Sequence, residues 1–92
     1  MTTPAKILEQ MKHHDLYLLL DAAPEATDEE IKKAYKKMAV KRHPDKNPDN
    51  PRATEDFQLL GNAYAVLKDK DARSTYDMIF KARKARKWGA RY

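Results

Sequence analysis

Three observations predict an all-α fold. Two stretches, residues 27–42 and 51–68, repeat apolar residues at the three- and four-residue spacing of a helix face. The chain has only two glycines in 92 residues, and sandwiches, barrels and phosphate-cradling loops all draw on glycine at their turns. The one short apolar run that could be a strand, Asp15 to Leu20, has no partner strand elsewhere. The expected architecture is an antiparallel helical hairpin, formed by a second and a third helix, with a short first and a short fourth helix packed around it.

The elements follow in order. Residues 1–13 form an N-terminal extension in which Ile7, Leu8 and Met11 have the spacing for a leading turn or two. The run to Leu20 is the first helix, broken by the segment around Pro24. Thr27-Asp28-Glu29-Glu30 reads as a capping box: the Thr27 hydroxyl accepts from the Glu30 N–H, and the Glu30 carboxylate accepts from the Thr27 N–H. Three acids in that first turn suit the positive end of the helix dipole. Ile31, Ala34, Tyr35, Met38 and Ala39 then line one face. Lys32, Lys33, Lys36, Lys37 and Lys41 occupy the other, with Val40 among them. This second helix ends near Arg42, because Pro44 keeps His43 out of the α region.

Residues 43–50 are a loop rich in Pro, Asn and Asp. Asn50 reads as an N-cap and Pro51 as the first residue of the third helix. Ala53, Phe57, Leu60, Tyr64 and Leu67 mark its apolar stripe. Gly61 inside it costs about 1 kcal/mol relative to Ala and suggests close packing. Asp69 caps a fourth helix that contributes Ala72, Tyr76, Ile79 and Phe80. Tyr17, Tyr35, Phe57, Tyr64 and Tyr76 are expected in the core, with Tyr35 half exposed, its ring packed and its hydroxyl available to a partner.

Composition excludes several classes of function. Without cysteine there is no disulfide framework, thiolate zinc site or cysteine nucleophile. His13, His14 and His43 make a poor metal set: the first two are adjacent and point to different sides of a helix, and no acid cluster completes a site. No apolar run approaches the roughly 18 residues of a membrane span. A chain this small is not expected to be an enzyme, and no cofactor is expected.

The charge is uneven. Lys81, Arg83, Lys84, Arg86, Lys87 and Arg91 give residues 81–92 a charge of +6; the whole chain carries +5, so residues 1–80 sum to +5 − 6 = −1. Charged residues make up 36% of the chain, above the roughly 25% of an ordinary domain. The tail, residues 81–92, is a basic extension of the fourth helix or the start of a linker, and it has three open readings besides a solvated linker. It could bind RNA phosphates, serve as a localisation signal, or fold back on the acids at 25–30.

The loop carries the informative constellation. His43-Pro44-Asp45 after a Lys-rich helix resembles the signature of the J-domain, the DnaJ-type co-chaperone module. Asp15-Leu16-Tyr17 with Leu20, Glu30-Ile31-Lys32-Lys33-Ala34-Tyr35, Met38-Ala39, Lys46-Asn47, Phe57, Ala63-Tyr64, Val66-Leu67, Asp69, Ala72-Arg73 and Tyr76-Asp77 follow in that family's order and spacing. The resemblance spans residues 14–80. Three positions depart from it: Asp21 where Gly is usual, Arg42 where an aromatic is common, and Gly61-Asn62 in place of a charged pair.

The resemblance implies a monomeric module that docks on the ATPase domain of a DnaK-type (heat-shock protein 70) chaperone and stimulates its ATP hydrolysis. It implies His43, Pro44 and Asp45 as the trigger and Lys32, Tyr35, Lys36, Lys37 and Lys41 as the docking face. The stretch from His43 to Ala53 and the basic tail resemble a nuclear, splicing-associated branch of the family with further domains. That implies a nuclear location, with RNA or spliceosomal proteins as partners of the tail residues Lys81, Arg83, Lys84, Arg86 and Lys87. The physics of the turn agrees with a docking role. A stiff exposed turn loses little entropy on capture, a carboxylate can take a bidentate bond from a partner arginine, and a lysine face speeds encounter with an acidic surface. The competing class is a small nucleic-acid-binding module that uses the Lys-rich helix or the tail. The loop is longer than in a helix-turn-helix, and the third helix carries only Arg52 and Lys68 with Glu55 and Asp56 nearby.

Overall fold

The structure is a computed structural model; it describes residues 3–89, with side chains through Arg83. Among the described residues every regular element is helical: α1 (Pro4–Met11), α2 (Leu16–Leu20), α3 (Asp28–Lys41), a 3-10 turn (Pro44–Lys46), α4 (Ala53–Lys68) and α5 (Lys70–Gly89). α3 and α4 form the hairpin, and α2 packs against both of them.

The local signals at α3 are all present. Thr27 Oγ1 accepts from the Glu30 N–H at 3.2 Å, and Glu30 Oε1 accepts from the Thr27 N–H at 2.9 Å. That second bond, with the Thr27 hydroxyl, holds the Glu30 carboxyl below its ordinary pKa. Ile31 and Met38 are the buried residues of the helix, and its lysines face out.

Several expectations need correction. Residues 4–11 form the leading turns that the spacing of Ile7, Leu8 and Met11 allows, but as a capped helix docked on the core rather than an extension outside it. Thr3 Oγ1 accepts from the Lys6 N–H, and Leu8 and Met11 belong to the same buried cluster as Leu16, Tyr17, Leu60 and Tyr76. α1 packs on α4 and α5, so the N-terminal segment shares the core. The third helix of the sequence reading starts at Ala53, not Pro51. Asn50 instead closes a turn, its side chain accepting from the Arg52 N–H at 2.9 Å. Gly61 is not a close approach: an added Cβ would lie 4.0 Å from the Tyr35 hydroxyl, at ordinary contact distance. The final helix is long, at 20 residues; residues 81–89 continue it, as the helical-extension reading of the tail expects, and of the open readings only the fold-back on the acids at 25–30 is not found among the described residues.

The aromatics divide into two groups. Tyr17, Tyr76 and Phe80 are buried together, with ring centroids 5.5–5.9 Å apart. Tyr35 and Tyr64 are stacked at 4.3 Å across α3 and α4 and pack against the core, Tyr35 half-buried as expected; Tyr64 and Phe57 are half-buried where a core position was expected. Asp21, where the resembling family has Gly, sits at φ 55° and ψ 46°, and its N–H closes α2 onto Tyr17 and Leu18. That left-handed conformation is what Gly adopts without steric cost.

Candidate functional site

The site is built where α3 stops. His43 is extended, at φ −61° and ψ 135°, as a residue before proline must be. Pro44 then starts a single 3-10 turn. The His43 carbonyl accepts from the Lys46 N–H at 3.0 Å, and the Pro44 carbonyl from the Asn47 N–H at 3.1 Å. His43 Nδ1 accepts from the Asp45 N–H at 3.2 Å. That bond assigns the neutral ring the tautomer with its proton on Nε2, directed away from the turn. With Nδ1 already accepting, its 3.8 Å approach to the Asp45 carboxylate is a proximity rather than an ion pair.

Asn47 holds the turn against the helix. Its side-chain amide donates to the Lys41 carbonyl at 2.9 Å and to the His43 carbonyl at 3.0 Å. The first of these satisfies one of the carbonyls that a helix end leaves without a partner. Underneath, the His43 ring meets the Phe57 ring edge-on at 5.2 Å. The turn is thus braced from α3 by Asn47 and from α4 by Phe57. On this support the Asp45 side chain is 91% exposed and the His43 side chain 46%. A carboxylate so placed can accept both prongs of an arginine.

Lys32, Lys36, Lys37 and Lys41 are exposed on α3, while Tyr35 is half-buried on Tyr64. Val40, 55% exposed, adds an apolar spot to this cationic face. Sequence reasoning therefore placed the turn and its lysines, but it missed the bracing roles of Asn47 and Phe57. The signal for Asn47 was an amide side chain just past a helix stop. Phe57 carried no separate signal, because it falls on the same stripe as buried Leu60. Among the described residues no group of three or more His, Asp or Glu is placed to hold a metal.

The tail cations fare differently. Lys81 is exposed. Arg83 is half-buried and donates to the Lys12 carbonyl at 2.7 Å, tying α5 to the end of α1. The side chains of Lys84, Arg86 and Lys87 lie outside the described residues.

Comparison with known proteins decides the family. The DnaJ domain profile matches residues 15–77. The chain belongs to the DnaJ domain family. Its J-domain is 50% identical to DnaJ homolog subfamily C member 17 of Rattus norvegicus over 78 residues, 85% of this chain and 26% of that protein. It is 54% identical to the chaperone protein DnaJ of Nitratiruptor sp. over 68 residues, 74% of this chain and 18% of that protein. Among solved structures, the J-domain of human DnaJ subfamily C member 12 matches with a TM-score of 0.65 at 34% identity, over 83% of this chain and 70% of that one. The chain thus spans about a quarter or less of the curated relatives it matches. α1 lies outside the matched residues 15–77, although it completes the J-domain core.

Proposed function

We propose that this J-domain docks on the ATPase domain of a DnaK-type chaperone and stimulates its ATP hydrolysis through His43, Pro44 and Asp45. The observation that carries this is the exposed Asp45 carboxylate on a turn braced by Asn47 and Phe57. The chain supplies no group to the hydrolysis. It biases the partner by binding the hydrolysis-competent state more tightly. Lys32, Lys36, Lys37 and Lys41 supply the steering field for an acidic partner face, and Tyr35 contributes the edge of its stacked ring.

The test is single-turnover ATP hydrolysis by a panel of DnaK-type chaperones with wild type or His43→Gln. Stimulation by the wild type and none by the variant is expected. A variant that stimulates as well as wild type would remove His43 from the mechanism.

We extend the reading to a nuclear, splicing-associated parent protein acting as a monomer through this module. The support is the 50% identity to DnaJ homolog subfamily C member 17 and the six cations of residues 81–92. RNA or a spliceosomal protein is the partner assigned to that tail. If residues 1–80 alone bind RNA as tightly as the full chain, the tail is not the reader.

A further inference from the structure

At the end of the hairpin that carries the turn, α2 packs against α4 but does not fill the seam. It leaves an open groove of about 360 Å³. Leu18, Leu19 and Leu59 line it with buried Leu60, and its charged lining residues are Arg42 and two acids, Asp15 and Asp56. Leu18 is 74% exposed, whereas Leu16 and Leu20 of the same helix are fully buried. A scattered surface leucine is ordinary. One that joins two half-buried leucines around an open concavity marks a contact surface. Arg42 stands where the family commonly has an aromatic, so a side chain suited to covering this apolar floor is replaced by a cation.

We infer that the groove is a second contact for the chaperone ATPase domain, taking an apolar side chain flanked by an acid on that partner. The inference rests on the docking reading above. Continuity with the turn argues for this occupant. Arg42 directly precedes His43, and Asp56 directly precedes Phe57, whose ring supports His43. A partner that captures Asp45 therefore reaches the groove mouth without a further hinge. Charge fixes where the partner's acid sits: Asp15 and Asp56 also line the groove, so Arg42, the one Arg or Lys among the lining residues, is its anchor. The Arg42 guanidinium makes no hydrogen bond or ion pair among the described residues, and it is available to the acid. Asp56 on α4 sets the polarity, since it repels an acid placed the wrong way round. The groove holds no group that acts on the turn, so filling it raises affinity and leaves the triggering step alone.

The test titrates full-length chain into the intact chaperone and reads single-turnover hydrolysis for wild type, Leu18→Ser, Arg42→Glu and His43→Gln. Leu18→Ser is expected to raise the half-maximal concentration about tenfold, or about 1.4 kcal/mol, at unchanged maximal stimulation. Arg42→Glu should shift it in the same direction, whereas His43→Gln abolishes the maximum. Melting curves should match wild type for Leu18→Ser, because that side chain is outside the core. A Leu18→Ser titration that superimposes on wild type overturns the groove contact and leaves the docking reading standing. A wild type inert toward every chaperone tried overturns both. Loss of binding to an unfolded polypeptide in Leu18→Ser, with normal stimulation, would assign the groove to a client and overturn the proposal as well.

Discussion

At the seam between α2 and α5, Tyr17 and Tyr76 commit their hydroxyls inside the protein. Tyr17 donates to Asp77 and accepts from Arg73 Nε at 3.2 Å. Tyr76 donates to the His14 carbonyl at 2.7 Å and accepts from the Leu16 N–H at 3.0 Å. Arg73 continues the seam to the Pro24 and Ala26 carbonyls and to Asp28, fastening the α2–α3 connection. At the turn, by contrast, the Asp45 side chain is 91% exposed and the His43 side chain 46%. Polar groups at the seam hold helices together. Polar groups at the turn are held in place by others and left open. On the proposed docking role, the working side chains are ones that can be changed without cost to the fold, and the seam supplies the stability that permits this.

The sharpest break comes from the core beneath both regions. Leu60 is 2% exposed, on α4 between the α1, α2 and α3 contacts. Leu60→Ala should cost about 2–5 kcal/mol, a large share of the roughly 5–15 kcal/mol a domain has. Urea unfolding measures it, and loss of stimulation should then track loss of helix rather than occur alone.

Tyr17→Phe tests the seam itself. It leaves Asp77 and Arg73 short of a partner and should cost about 1–3 kcal/mol. The same hydroxyl has a pH signature. Burial, and then its hydrogen bond to Asp77, push the Tyr17 phenol up to about 12 from an ordinary 10.0. The fold therefore holds the neutral phenol. Its contribution is complete below pH 10 and is lost as pH rises through 12. Burial raises Tyr76 as well. Alkaline unfolding in that window should be shallower in Tyr17→Phe than in wild type. An unchanged slope would remove Tyr17 from the account.

Asp21→Gly should move stability the other way. Gly accepts the left-handed conformation that Asp21 is forced into, with a gain of about 0.5–1 kcal/mol after the extra entropy of an unfolded Gly. Thermal melting should rise by about 2–8 °C, with stimulation unaltered.

These regions were legible in the sequence to different degrees, for a physical reason. The capping box at Thr27, the stop at Pro44 and the turn after it are local: each depends on residues within about four positions, so the pattern carries the geometry. The family resemblance added the role of His43, Pro44 and Asp45. The seam was opaque, because Arg73 reaches back to residues 17–28, and no periodicity encodes a side chain that satisfies carbonyls on another connection. Phe57 and Leu60 shared one stripe, so periodicity could not tell that Phe57 supports His43 while Leu60 is buried. α1 was underread because eight residues with a mixed pattern dock only if α4 and α5 offer a matching face, which is a property of the assembled fold.

Asp45→Asn has the smallest expected effect on stability and separates the two regions most cleanly. The Asp45 side chain is 91% exposed, and Nδ1 of the neighbouring His43 ring already accepts from the Asp45 backbone N–H. That backbone bond survives the substitution, so the turn keeps its shape and stability should stay within about 0.5 kcal/mol. An amide can offer one acceptor where the carboxylate offers two, and it carries no charge, so bidentate capture of a partner arginine is lost. Stimulation of the chaperone should fall to background while circular dichroism and melting match wild type. A variant that lost helix would make Asp45 part of the seam's kind of chemistry, holding the protein together, and the division between the two regions would fail at its most exposed residue.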